Sequence, residues 1–568
     1  MTFDLSPKTV SQNTYIDAHF GGNFLATKDS LGEDGTFDEA VQVLGLETLR
    51  YPGGALTEQN LGVLTPETEQ IIDRDTGEPI EFTPISDFTS YAEQQGLPVT
   101  FVMPTRVFVG EQTDENGDRF AQVDEDAVRN FVSQATDGSL GGAPDIQAFE
   151  IGNEYWGAGE MSAVEYGRVA SEMATIIDDE LSSLPDAERF QDIDILVQMG
   201  LNYGTSDLSA TFEGTAQEQL AAVNETYGLN LSEDKFIYAS GDVAWAKVNN
   251  EILLNEFDDP EREAVDGVVA HTYSKGADIP NSRYFELSQI QDTWLQDRPE
   301  LDIYATEWNL KRTVDETREE EYGLKQAHEM LNIMEAFDWA GVDAAHVWPV
   351  QMESRTGLTG VDGNEQVDLT GEMFRLMKDT LPGTQPLALQ GSEGRETEIE
   401  GETADVHAFY AEDRFVTYLA SKSDAPSEEI VDFNNLVSDT GDVSITRLGV
   451  EEGSNPTASA SPPVVTQENP ADLIDDGVLI ADLAPHEILV MEMSGPTYAE
   501  SVVNAVEASQ GDNQDEIPSI PPEEGEETEE DNDMANLMAA LGDTGGGGGG
   551  EMGLLLALGA LPLLLLAA

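Results

Sequence analysis

Apolar residues along this chain follow two alternating rhythms. Short, mostly apolar runs recur at 46–51, 99–103, 146–153, 193–199, 265–271, 301–307 and 342–347, after a Gly-containing run at 18–25. Between them lie segments whose apolar positions return every three or four residues, at 37–44, 85–95, 124–135, 162–184, 245–257, 284–295, 319–340 and 372–381. The first pattern is that of strands covered on both faces, and the second that of amphipathic helices. Eight strand-then-helix units over residues 18–382 predict a (β/α)8 barrel. The competing architecture is an open, doubly wound sheet. It gives no reason for polar and aromatic residues to close so many strands, whereas a barrel builds its active site from those strand ends.

Turn chemistry adds two inserted hairpins, one around Asp75-Thr76-Gly77 and one around Asn116-Gly117. Asp114, Asn116 and Asp118 have the spacing of a calcium loop's first ligands. Arg119 stands where that loop needs glycine and no closing glutamate follows, so a plain turn is expected. Ser162 and Glu165 form a capping box that starts the helix at 162. Residues 2–16 look like an irregular extended lead-in. Residues 383–496 become strand-rich, with a hairpin at 406–410 and 415–420 and further strands at 443–448 and 487–493, which predicts a small C-terminal β-sandwich.

The C-terminal residues change character again. Residues 497–550 are acidic and Gly-rich, the composition of a disordered linker. Residues 551–568 are mainly apolar, but shorter than the ~20 that span a bilayer, and they contain Pro562 and lack a basic flank. This reads as a sorting or anchoring segment, with a tail packed on the protein itself as the alternative. Attachment to a membrane or cell surface, and an extracellular or surface location, are the corresponding expectations; the N-terminus has no basic segment followed by an apolar one.

Charge narrows the partners. With 112 acidic against 26 basic residues the formal net charge is −86, which excludes nucleic acid and anionic surfaces as partners of the whole chain and suggests a saline setting. The absence of cysteine excludes disulfides, thiolate metal sites and cysteine nucleophiles. The six histidines, scattered along the chain, predict no ligand cluster, so neither a metal nor another cofactor is expected.

Within the barrel pattern, Arg50, Asn153, Glu154, His271, Tyr273, Glu307 and Trp348 fall at the ends of strands two, four, six, seven and eight, and so on one face. Two acids with Trp156, Trp308 and Trp348 beside them suit a carbohydrate cleft, because sugar faces stack on aromatic rings. Each residue alone has a plainer explanation. Arg50 fits an ion pair with Glu150 as well as it fits substrate contact; His271 fits a satisfied core histidine, and His346 one bonded within the barrel; the tryptophans fit the core. Together, Glu154 and Glu307 have the chemistry of glycosidic bond cleavage. Carboxyl groups about 5 to 5.5 Å apart act as nucleophile and acid/base, and a wider gap admits an activated water. One must stay protonated and the other ionised, which a cation such as Arg50 would ensure.

Leu49-Arg50-Tyr51-Pro52-Gly53-Gly54, Glu150-Ile151-Gly152-Asn153-Glu154 and Thr306-Glu307-Trp308-Asn309 resemble the motifs of glycoside hydrolase family 51 and its relatives in clan A. The resemblance spans residues 18–496 and implies a retaining glycosidase acting on a plant or algal polysaccharide or its oligosaccharides. It implies Glu154 as acid/base, Glu307 as nucleophile, Asn153 as a 2-hydroxyl ligand, and Tyr273, with His271 nearby, as the residue orienting the nucleophile. It also implies that residues 1–17 join the sandwich. Two positions depart: Phe24-Leu25-Ala26-Thr27 lacks the sugar-binding glutamate of family 51 arabinofuranosidases, and Ala55 replaces their asparagine. Both departures affect sugar contacts, not the catalytic pair. The alternative function is a catalytically silent carbohydrate-binding or surface-adhesion protein on a barrel scaffold.

The charge generates the first test. Because the Debye length falls from about 10 Å at 0.1 M salt to about 3 Å at 1 M, the melting temperature should rise steeply with KCl over that range. A salt-independent melting temperature by circular dichroism would contradict this.

Overall fold

The computed structural model describes residues 1–32, 35–59, 65, 67–72, 77–311, 321–352, 354–360 and 367–511. Most of the expected linker, the 551–568 segment and residues 73–76 of the first hairpin lie outside the described residues.

Eight parallel strands close on themselves: β1 (Gly21–Asn23), β2 (Leu49–Tyr51), β3 (Val99–Met103), β4 (Ile146–Ile151), β5 (Asp194–Gln198), β6 (Gly267–Ser274), β7 (Asp302–Leu310) and β8 (Ala344–Val347). Each pairs with its neighbours in sequence, and β8 pairs with β1. The helices that cover them are α1 (Phe37–Leu44), α2 (Ile85–Gln95), α3 (Glu125–Asp137), α4 (Ala163–Ser183), α5 (Trp245–Asn255), α6 (Phe285–Asp292), α7 (Leu324–Ala340) and α8 (Leu369–Thr380). The architecture is therefore the (β/α)8 barrel. Ser162 and Glu165 form the capping box at the start of α4, and the two hairpins pair as Gln70–Ile72 with Pro79–Glu81 and Val109–Thr113 with Arg119–Ala121. At the second turn Asp114 Oδ1 accepts from the amides of Asn116, Gly117 and Asp118, as a plain turn requires.

Alternation along the strands sorts their side chains. Ala148, Leu196, Val269, Tyr304 and Ala344 make a small apolar layer inside the barrel, while Phe149, Ile151 and Ala270 join the larger core shared with the helices. One strand breaks the alternation. Between Ala305 and Trp308, β7 advances three residues while β8 advances two, and against β6 the register skips Thr306. This bulge lets Thr306 and Glu307 both reach the barrel interior and turns Trp308 outward, where it packs on Phe337 of α7 and Phe374 of α8.

Residues 2–16 are more regular than expected. Thr2–Asp4 pairs with Ser427–Asp432, and Pro7–Val10 pairs with Gln385–Leu389, so the N-terminus contributes a strand to each of two sheets. Those sheets enclose a second core that includes Phe3, Leu5, Leu387, Phe415 and Met491. The first residues of the expected linker form regular structure. Thr497–Tyr498 pairs with Val437–Asp439, and Glu500–Gly511 is a helix whose Val502 is buried in the second core. Val502, Ala505 and Val506 supply the apolar stripe that averaging over an acidic segment hides.

Candidate active site

Arg50 lies at the centre of the barrel mouth, wholly buried. Its Nε and Nη2 donate to the two oxygens of Glu150, each at 2.7 Å. Nη2 also donates to Asn153 Oδ1 at 2.7 Å, and Nη1 to Asn23 Oδ1 at 2.9 Å and to Glu307 Oε1 at 3.0 Å. A guanidinium has five N–H donors, and all five are engaged within the protein. Arg50 is thus a positioning residue, and its expected role as a direct substrate ligand is corrected: no donor remains for a sugar. Gln198 and Thr306 complete the shell of Glu150 Oε1 at 2.7 and 3.3 Å.

Above this layer stand the two acids. Glu307 accepts from Arg50 on Oε1 and from the Tyr273 hydroxyl on Oε2 at 2.8 Å. Glu154 Oε1 is 3.2 Å from His271 Nδ1, which is itself 3.8 Å from Glu307 Oε2. One oxygen of each glutamate and one nitrogen of His271 all lie within 4.8 Å of one another. Burial disfavours the His271 cation, but Glu307 and the hydrogen bond to Glu154 prevail and push its pKa up to about 9. Burial would raise the Glu154 carboxyl, yet the His271 bond and charge outweigh it and hold it below the ordinary range. The Tyr273 hydroxyl, buried and facing Glu307, is held well above its usual pKa and stays a donor.

The backbone that presents Glu154 is strained. Gly152 has φ +80°, a conformation open to glycine, and Glu154 itself has φ +43°, where a side chain costs on the order of 1–3 kcal/mol. Several bonds hold the turn. Tyr155 stacks on Tyr166 at 4.2 Å, the Tyr166 hydroxyl donates to Ile151 O and accepts from Gln198 N, and Asn153 N donates to Glu58 Oε1. Asn153 Nδ2 is buried and has no hydrogen-bond partner among the described residues.

Three supporting residues were not legible in the sequence. Glu58, in the 3-10 helix Gly54–Gln59 after β2, is buried and accepts from the amides of Thr105, Arg106 and Asn153; burial lifts its pKa to about 7, against the pull of those bonds. Glu286 on α6 accepts from His271 N, and burial likewise lifts it to about 7. Gln198 ties β5 to Glu150. In a chain with 112 acidic residues, nothing in composition or spacing marks Glu58 or Glu286.

The tryptophans divide. Trp308 is wholly buried on the helix side of β7, and Trp156 is 5% exposed and edge-on to Tyr155, so the expected stacking role is corrected for both: neither presents a face to a ligand in this structure. Trp348 is half-buried, its ring over Gly54, where a Cβ would come within 2.6 Å of it. His346 bonds Thr48 inside the barrel, and burial with the Arg50 charge lowers it to about 3, so it stays neutral.

No protein-family model matches the chain, and no curated protein matches it by sequence. Solved structures do match. The α-L-arabinofuranosidase of family 51 from Bifidobacterium longum aligns with TM-score 0.56 and 14% identity over 86% of this chain and 99% of its own. That of Thermotoga maritima, solved with arabinose, gives 0.55 and 14% over 87% and 99%. The family 51 arabinofuranosidase of Xanthomonas axonopodis pv. citri gives 0.53 and 14% over 87% and 99%. The fold is the one these arabinofuranosidases have. At the end of β1, where the resemblance calls for an acid, Leu25 and Ala26 are buried, and the nearest acid, Asp29, turns back to accept from Leu25 N at 2.6 Å. Burial holds that carboxyl well above its usual pKa.

Arg50→Met would leave Glu150 and Glu307 buried without their cation. It should destabilise the protein by about 3–5 kcal/mol in urea unfolding at high salt, whereas a loss under 1 kcal/mol would mean the guanidinium is not what balances them.

Proposed function

We propose that the chain is a retaining glycoside hydrolase, cleaving glycosides of a plant or algal polysaccharide or its oligosaccharides by double displacement. The observation that carries the proposal is the approach of Glu154 and Glu307, an oxygen of each within 4.8 Å, close to the separation of about 5 to 5.5 Å of a retaining pair. Glu307, bonded by Arg50 and Tyr273, is the nucleophile: its carboxylate attacks the anomeric carbon as Glu154 protonates the leaving oxygen. Glu154 then takes a proton from the water that releases the sugar. His271 and Glu154 share the proton this requires, with the charge resting on His271 until a leaving group arrives. The solved arabinofuranosidases of the same fold support this chemistry by analogy. The substitutions at Ala26 and Ala55 argue for a sugar contact set different from the one the family 51 resemblance implies. An extracellular or cell-surface site of action in saline water belongs to the same proposal, because it is where a chain of charge −86 meets such polymers.

Two measurements test this. Glu307→Ala should lose more than about a thousandfold in kcat on an activated aryl glycoside, and azide should restore turnover as a glycosyl azide. Glycan binding with no hydrolysis by the unaltered protein across furanosides, pyranosides and uronides would favour the silent binding protein. The second is a pH profile. His271 is charged below its pKa of about 9, so the shared proton is available below that pH and lost as pH rises through it. The alkaline limb of kcat/KM should therefore fall near pH 9, and His271→Gln should move it to lower pH. An unmoved limb would remove His271 from the proton's path.

A further inference from the structure

A second buried cluster of titratable groups lies away from the barrel mouth, where α7 packs against the sandwich. From α7 come His328 and Glu335; from the sandwich come Thr397, Glu398 and His407, the last on strand Ala404–Tyr410. Glu335, Glu398 and His407 are each at most 4% exposed. Ile399 pairs with Val406 and Glu400 with Asp405 in antiparallel register, which places Glu398 opposite His407. Glu335 reaches across from the helix: Oε2 lies 3.1 Å from His407 Nδ1, and Oε1 accepts from the Thr397 hydroxyl at 2.7 Å. One ligating atom from each of Glu335, Glu398 and His407 lies within 4.8 Å of the others.

Three features distinguish this cluster from an ordinary acidic patch. Glu398 Oε2, fully buried, has no hydrogen-bond partner among the described residues. The nearby cations are committed: Arg283 to Glu329 at 2.6 Å and Glu396 at 3.5 Å, and Lys422 to Asp405 at 2.8 Å. Two buried carboxylates therefore face each other across an imidazole without a lysine or arginine paired to either among the described residues. Finally, His407 Nε2 is 2.9 Å from His328 Nε2. With His328 accepting the proton of His407 Nε2, His407 would hold the tautomer whose Nδ1 lone pair faces the carboxylates. An imidazole that donates through one nitrogen so that the other can ligate is the arrangement usual around metal ions.

We propose that Glu335, Glu398 and His407 bind one first-row divalent cation, zinc or manganese, which links the barrel to the sandwich. The donor set is one imidazole and two carboxylates, suited to those ions and lacking the thiolates that would favour softer ones. The site lies apart from Glu154 and Glu307, and its role is structural. The sequence led to the expectation that the histidines form no ligand cluster. The fold brings His328 and His407 together from positions 79 residues apart and sets Glu335 and Glu398 beside them.

Metal analysis of protein purified without a polyhistidine tag or added chelator decides the matter. Plasma mass spectrometry after gel filtration should find about one equivalent of zinc plus manganese per chain, unchanged in Glu307→Gln and reduced below about a tenth in Glu398→Gln. EDTA should lower the melting temperature of the unaltered protein, and zinc or manganese should restore it. The proposal is overturned if the unaltered protein holds less than about a tenth of an equivalent after incubation with either ion, a result that would leave a proton shared by Glu335 and Glu398 to balance the site. Equal occupancy in Glu398→Gln, or loss in Glu307→Gln, would place the ion elsewhere. Should Glu398→Gln fail to fold, His407→Gln and the chelation measurement on the unaltered protein keep the question open to the same two answers.

Discussion

The arrangement at the barrel mouth depends on one buried cation. Arg50 is taken wholly out of water, a step that only close, well-directed anions can offset, and its five donors are met by Glu150, Glu307, Asn153 and Asn23. Those partners come from strands β1, β4 and β7 and from the residues just after β4, while Arg50 itself is on β2, so the same contacts that satisfy the charge fix how these strands meet. Glu307 is held by Arg50 from below and by Tyr273 from the side, and Asn153 is held between Arg50 and Glu58. Preorganised polar groups of this kind do not have to reorient as charge develops, which is where much catalytic power arises.

How far the sequence could be read follows from what each feature depends on. The strand and helix periods are local, and they identified the barrel; 37–44, 85–95 and 99–103 agree with the observed α1, α2 and β3 to the residue. The acids were legible because they end apolar runs. The bulge at Thr306 was not, since it is a relation between three strands, and it decides that Glu307 enters the site while Trp308 leaves it. Trp156 and Trp308 were therefore credited with a surface role on spacing alone. The N-terminal strands were hidden for a similar reason: Thr2–Asp4 and Pro7–Val10 are too short to show a period, and gain their regularity from partners some four hundred residues away.

Glu58 and Glu286 illustrate a different limit. Acidic composition at this level removes the contrast by which an unusual carboxylate would stand out, so only burial and bonding reveal that these two support the loop of Asn153 and the backbone of His271. Where the solvent-facing charge is diffuse and screened by salt, a buried carboxylate is not screened, and each needs a specific partner. Arg50, His271 and the backbone amides around Glu58 are those partners in the barrel mouth.

The barrel mouth thus divides into a floor of balanced buried charge and a rim without it. The floor of the site, Glu150, Gln198, Thr306 and Asn23 around Arg50, answers to the demand that buried charges be balanced. Removing one member leaves its neighbours unsatisfied, so the floor resists change as a unit. The rim is under no such demand. At the rim, where the family 51 resemblance calls for polar groups at Ala26 and Ala55, Leu25 N is met by Asp29 and Gly54 is covered by Trp348. In this construction the two glutamates stay where Arg50 and His271 put them, whatever the rim carries.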